Sequence, residues 1–252
     1  MHNINNKKCI AIVPARSGSK SVIDKNIASL AGYPLLAYSI IAAHLSKKIE
    51  RIIVSTDSSD YAALSKLYGA EVPFLRPPEL SLDTSTDKEF FLHAMQWMHE
   101  NEGEVPEYWV HLRPTAPLRN PKIIDEAVEV IMKDSSATSL RSAHKAPESP
   151  LKWFRKKGKY FTGLAEAAVS DEYLNLPKEA FADVYVPVGY VDVVRASHVL
   201  NQDTLLGANM LAFNSPVCTE VDSPEEFDFI DYQINRYGSV LLDYLSSKYP
   251  LE

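Results

Sequence analysis

Cysteine is scarce in this chain of 252 residues: Cys9 and Cys218 stand far apart, and one of them lies in an apolar run. That excludes a disulfide framework and predicts a reducing compartment. No apolar run approaches the length of a membrane span, and the polar start MHNINNKK lacks the apolar stretch of a signal peptide. A cytoplasmic chain with no membrane partner is therefore expected. Positive charge is also short. Lys and Arg number 26 against 33 Asp and Glu, a net charge of −7, so there is no basic footprint for general nucleic-acid binding. No HxxxH or CxxC spacing occurs, and His93 and His99 are too poorly aligned on one helical face to suggest zinc. A Walker A ending GK[ST], a dinucleotide GxGxxG, internal repeats and low-complexity tracts are all missing.

What is present has a regular order. A hydrophobic content of 46% with 23% charged residues is ordinary for a globular protein, and the length suits one sizeable α/β core, a single domain over 1–252. CIAIVP (9–14) predicts a fully buried strand, PLLAYSIIAAHLSKK (34–48) a helix, RIIVSTD (51–57) a strand and SSDYAALSKLYG (58–69) a helix between polar caps and Gly69. EVPFLRP reads as a short strand, TSTDKEFFLHAMQWMHENEG (84–103) as a helix with Met95, Trp97 and Met98 as packing residues, and EYWVHLRP (107–114) as a strand. NPKIIDEAVEVIMKD (120–134) predicts a helix with Pro121 in its first position, followed by a strand at ATSLRS. Strands and helices alternating at this spacing predict a three-layer α/β fold, a mostly parallel sheet with helices on both faces. Over 141–187 the pattern breaks into proline, lysine and aromatic residues, with a hairpin at KKGK, and this segment is expected to be an inserted arm or lid. Strands at 184–194 and 209–216 follow. The end, SPEEFDFIDYQINRYGSVLLDYL, reads as one amphipathic helix with Ser223 as cap and Glu226 as its capping-box partner.

The first strand ends in PARSGSKSVIDKN, where small residues are interleaved with Arg16, Lys20 and Lys25. Small side chains let backbone N–H groups approach a phosphate, while cations balance its charge. In a parallel sheet this loop, STD at the end of the second strand and RPTAPLR would all fall beyond the carboxyl ends, where ligands bind.

ARSGSK…KN resembles the nucleotide-binding loop of the acylneuraminate cytidylyltransferase family, the synthetases that load sialic acid, Kdo and related sugar acids onto CMP. STDS at 55–58, RPPELSLDTST at 76–86, LRPTAPLR at 112–119 and EVDSPEEFDF at 220–229 resemble further family motifs, in order and across nearly the whole chain. The resemblance implies a nucleotide-diphospho-sugar transferase-like fold and transfer of CMP from CTP to the anomeric hydroxyl of a 2-keto sugar acid, releasing pyrophosphate. It implies that Arg16 and Lys25 grip the triphosphate and that Lys20 neutralises charge during displacement. Ser19 and Asn26 would hydrogen-bond the nucleotide, with the backbone at Ala15 toward base or ribose, and Arg76, Ser85 and Thr86 would add nucleotide contacts. Asp222, with Glu220, would hold Mg²⁺ (or Mn²⁺), leaving Lys20, Arg16 and Asp222 as the catalytic set. Arg113, Thr115, Arg119 and Lys152 would face the sugar, with Lys145 in the same pool of cations. A homodimer is implied, its 141–187 arm reaching the partner's sugar pocket.

The sugar half departs from the family pattern. Arg113 replaces a glutamine, and either a substrate carboxylate or hydroxyl-rich chain, or a salt bridge to a neighbouring acid, would use its fork. Ser21 replaces a glycine, no arginine stands in YLNLPKEAF (173–181), and Asp192 stands where a tyrosine is usual. A nonulosonate or related acid of open identity is expected. A nucleotidyltransferase of the same architecture with another acceptor or base is the alternative reading, and a non-catalytic relative a further one.

Overall fold

A computed structural model describes residues 3–164 and 171–251. Strand β1 (Ile4–Pro14) leads through the first loop to helix α1 (Leu35–His44), then β2 (Arg51–Ser55), α2 (Ser59–Leu67), α3 (Asp87–Glu102), β3 (Val105–His111), α4 (Pro121–Lys133) and β4 (Ser139–Lys145). The hairpin β5 (Phe154–Lys157) and β6 (Tyr160–Gly163) stands apart from the main sheet. Next come β7 (Tyr185–Arg195), β8 (Met210–Asn214), α5 (Pro224–Tyr237) and α6 (Val240–Lys248).

The main sheet has the order β8-β4-β7-β3-β1-β2. Its β1–β2, β1–β3 and β8–β4 pairs are parallel, and β7 alone runs antiparallel, between β3 and β4. Alternation along the strands builds a core on each face. Ile10, Ile12, Ile53, Val105 and Trp109 pack with Phe91, Met95 and Met98 of α3 on one side. Cys9, Ala11, Val13, Val54 and Val110 pack with α1, α4, α5 and α6 on the other. This is the expected three-layer arrangement with a mostly parallel sheet.

Local signals explain most boundaries. Ser58 accepts from the Tyr61 N–H at the start of α2, and Asn120 accepts from Lys122 N–H at the start of α4. Capping boxes pair Thr86 with Glu89 and Ser223 with Glu226. Three expectations are corrected. EVPFLRP is not a strand: it makes one parallel bridge, Ile53 to Glu71, and Pro73 has no N–H to continue it. The C-terminal helix is two helices, because Gly238 takes φ of 71° after Tyr237 and turns the chain. The irregular segment is also shorter than 141–187, since β4 continues to Lys145 and β7 starts at Tyr185. Residues 165–170 of that segment lie outside the described residues.

Candidate active site

The loop after β1 is tied in place from several sides. Ala15 N–H donates to the Ser55 carbonyl at 2.9 Å. Ser17 donates its N–H and its hydroxyl to the two oxygens of Asp57, at 2.8 and 2.7 Å. Asn26 Nδ2 donates to the Arg16 carbonyl at 2.9 Å. Gly18 has φ of 68°, a left-handed conformation that disfavours a side chain. Asp24 adopts φ of 48°, and its carboxylate accepts from the Tyr61 hydroxyl at 3.0 Å. The Ser17–Asp57 clasp is absent from the sequence reading, although the STD motif at the end of β2 was its available signal.

Above this loop lies a cleft of about 440 Å³. Arg16, Ser19, Lys20, Lys25 and Asn26 line it from the loop, Arg76, Ser85 and Thr86 from the segment before α3, and Arg113 and Thr115 from the loop after β3. Ala15 is buried behind it. Asp83 enters the same space and accepts from Arg16 Nη2 at 2.8 Å and Lys20 Nζ at 2.6 Å. Those two cations hold its carboxyl below the usual carboxylate range. Lys25 Nζ donates to the Val221 carbonyl at 2.7 Å and to Asp222 Oδ1 at 3.1 Å, which joins the end of the chain to its first loop.

Arg76 is buried under the cleft, donating to Ser55 Oγ at 3.0 Å and the Ser55 carbonyl at 2.6 Å, with its guanidinium 4.9 Å from the Phe90 ring centroid. Burial lowers its pKa to about 10, so it stays charged at neutral pH. Ser85 Oγ accepts from Leu82 N–H at 3.0 Å and donates to the Glu79 carbonyl at 3.3 Å, which shapes the turn carrying Asp83. Thr86 opens α3, its N–H donating to Glu89 Oε2 at 2.5 Å.

The sugar-side candidates divide. Thr115 Oγ1 donates to Glu220 Oε1 at 3.3 Å, and the Val221 N–H donates to the Thr115 carbonyl at 2.7 Å. The Glu220 carboxylate lies against the backbone of Gly189, where a Cβ would push it aside. Arg113 has the salt bridges its sequence position left open: Nη1 to Asp192 at 2.7 Å and Nη2 to Asp87 at 2.9 Å. Arg119 is corrected. It is 3% exposed and donates to the carbonyls of Tyr190, Arg113 and Gly189 and to Ser39 Oγ, at 2.5 to 2.7 Å. With these donors committed inside the protein, Arg119 pins the loop after β3 to β7 and does not reach out to a substrate. Lys145 pairs with Asp183 at 2.6 Å in a second cleft of about 580 Å³. Lys152 lies on the turn Pro150–Lys152 and lines neither cleft.

Among the described residues no group of three or more His, Cys, Asp or Glu side chains could hold a metal. Glu220 and Asp222 are two hard-oxygen donors beside the cation cleft. That set fits a divalent cation that takes its other ligands from water and substrate phosphates.

Fold and cleft together define a three-layer α/β chain with a cation-rich cleft at the carboxyl ends of its parallel strands. Residues 10–178 match the family model described as Cytidylyltransferase, and the chain belongs to that family. It is 32% identical over 225 residues to the N-acylneuraminate cytidylyltransferase of Escherichia coli O18:K1:H7, covering 88% of this chain and 50% of that protein. It is 40% identical over 123 residues to the CMP-N,N'-diacetyllegionaminic acid synthase of Legionella pneumophila, covering 49% and 53%. The chain thus spans about half the length of these curated relatives. In fold it is similar to a CMP:2-keto-3-deoxy-manno-octonic acid synthetase complexed with CTP, with a TM-score of 0.67, 15% identity, and coverage of 91% of this chain and 99% of that one.

Proposed function

We propose that this chain is a CTP-dependent cytidylyltransferase that activates a 2-keto-3-deoxy sugar acid of the nonulosonate type, yielding the CMP-sugar and pyrophosphate. One observation carries the reading: Arg16, Lys20 and Lys25 converge on a single cleft, and Asp222, from far along the sequence, pairs with Lys25 of that cleft. The names of the relatives in Escherichia coli and Legionella pneumophila support the substrate class.

In this reading Arg16 and Lys25 bind the triphosphate. Lys20, with its side chain 82% exposed, leaves its pairing with Asp83 to follow charge as it moves to the leaving pyrophosphate. The anomeric hydroxyl gives up its proton to water as its oxygen bonds to the α-phosphorus and the bond to the bridging oxygen breaks, releasing pyrophosphate, so positioning and charge neutralisation supply most of the rate. Ser19 and Asn26 orient the nucleotide against the backbone at Ala15, with Arg76, Ser85 and Thr86 on its other side. Asp222 and Glu220 would hold Mg²⁺ or Mn²⁺, which when bound supplies charge neutralisation at the phosphates. Thr115 and Arg113 face the acceptor. The two free thiols, Cys9 and Cys218, support a reducing cytoplasmic setting.

We also propose a homodimer in which the hairpin arm meets a second copy. Exposed aromatics on that hairpin support it: Trp153, Phe154, Tyr160 and Phe161 are each more than half exposed.

The activity is tested by mixing purified protein with Mg²⁺, CTP and a panel of acids: N-acetylneuraminic acid, Kdn, Kdo and legionaminic- and pseudaminic-type acids. Pyrophosphate release that needs both CTP and an acid is the expected result. No release with any acid, or equal release with ATP, GTP and UTP, would overturn the reading.

A further inference from the structure

Asp192 is a buried carboxylate that the roles assigned so far leave unused. It stands on antiparallel β7, in register with His111 of β3 on one side and Arg141 of β4 on the other, and is 1% exposed. Its Oδ1 accepts from the Ser142 N–H at 3.2 Å, while Oδ2 accepts from Arg113 Nη1 at 2.7 Å and lies 3.9 Å from Arg141 Nη1. The β4–β7 register shifts between Arg141 and Ala143, directly alongside it. Ser142 Oγ fills that irregularity, donating to the Val188 carbonyl at 2.8 Å and accepting from Val191 N–H at 3.0 Å. Register shifts of this kind re-aim a side chain, and here the carboxylate is fixed to the backbone on one edge and to Arg113 on the other.

Arg113 is in turn held at both ends of its fork, with Nη2 on Asp87 Oδ2 at 2.9 Å. Its backbone carbonyl also accepts from Arg119 Nη2 and Ser39 Oγ. Arg113 and Arg141 face Asp192 and Asp87, two guanidiniums against two carboxylates, so the cluster is already balanced and has no positive charge to spare for a third carboxylate. A substrate carboxylate arriving there would meet Asp87 as well, and in a partly buried site that repulsion offsets the attraction. A hydroxyl or an acylamido group is suited differently. It finds N–H donors remaining on Arg113 and acceptor capacity remaining on Asp87, and needs no net charge.

We infer that Asp192 is a positioning residue for acceptor choice: it fixes Arg113 against Asp87, and this pair selects the sugar acid by its hydroxyl or acylamido groups rather than by its carboxylate. The inference rests on the reading of the cleft as the site for CTP and a sugar acid.

The test compares wild type, Asp192→Asn, Arg113→Gln and the double variant on N-acetylneuraminic acid, Kdn and Kdo. These share the 2-keto-3-deoxy carboxylate and differ in their hydroxyl and acylamido groups. Asp192→Asn is expected to shift relative kcat/KM across the three acids at least tenfold, with KM for CTP unchanged within twofold. The double variant is expected to match Arg113→Gln alone, because Asp192 acts through that side chain. A uniform loss on all three acids, additive effects in the double variant, or a change confined to CTP would overturn the inference. If Asp192→Asn fails to fold, the double variant, which removes both charges, carries the same comparison with Arg113→Gln. A wild type that binds no CTP in calorimetry sinks the parent reading. An active wild type whose acid preference ignores these substitutions sinks the positioning role alone.

Discussion

Asp83 puts a negative charge where the proposed function needs room for a more highly charged anion. Its carboxylate bridges Arg16 and Lys20 across the mouth of the cleft. Nucleotide entering that space must displace it, so the pair competes with the phosphates for the same donors. The contact is solvent-exposed, with side-chain exposures of 46% for Asp83 and 82% for Lys20, and exposed pairs of this kind are weak. Asp83→Asn should therefore lower KM for CTP by about 1.4-fold to 5-fold, read from initial rates at saturating acid. A rise in KM would show instead that Asp83 itself contacts nucleotide or its cation.

At the scale of elements, the packing of β3 against α3 encloses His111. Its ring lies 5.5 and 5.4 Å from the Phe90 and Phe91 rings, and its Nε2 has no hydrogen-bond partner. Burial first, then the nearby guanidiniums of Arg113, Arg119, Arg141 and Arg76, hold its pKa well below 6.5. Asp87, whose Oδ2 lies 3.9 Å from its Nδ1, is too distant to reverse that. The unfolded chain takes up this proton below about pH 6.5 and the folded chain does not, so stability falls as pH drops through that value, by at most about 1.4 kcal/mol per pH unit for this one group. His111→Leu removes the titration. Urea midpoints measured between pH 7 and 5 should fall less steeply in that variant, and an equal slope in both proteins would refute the assignment.

Across the whole molecule, two stretches of apolar surface stand out. The hairpin aromatics are exposed, and a groove of about 450 Å³ runs beside the edge strand β8, lined by Tyr185, Met210 and Phe213 among others. An unpaired edge with apolar neighbours invites another chain. Sedimentation should give twice the chain mass of 28.2 kDa, and Phe154→Ser with Phe161→Ser should shift the protein toward monomer. A wild-type monomer at micromolar concentration would remove the arm from the proposed site.

Much of this was legible before any coordinate. Periodicity and caps located α2, α3 and α4, because hydrogen bonds from Ser58 and Asn120 and the Thr86 capping box act within a few residues. The buried strand run ending in small residues and cations marked the loop that lines the cleft, since that juxtaposition is itself local. Three-dimensional folding decided what depends on distant partners. Arg113 and Arg119 lie in the same short motif, yet one lines the cleft between two carboxylates and the other is buried among carbonyls. Nothing in their spacing separates them. Which donors a guanidinium keeps for a ligand is set by the acceptors the fold brings to it, and Asp192 and Gly189 arrive on an antiparallel strand some eighty residues further along the chain.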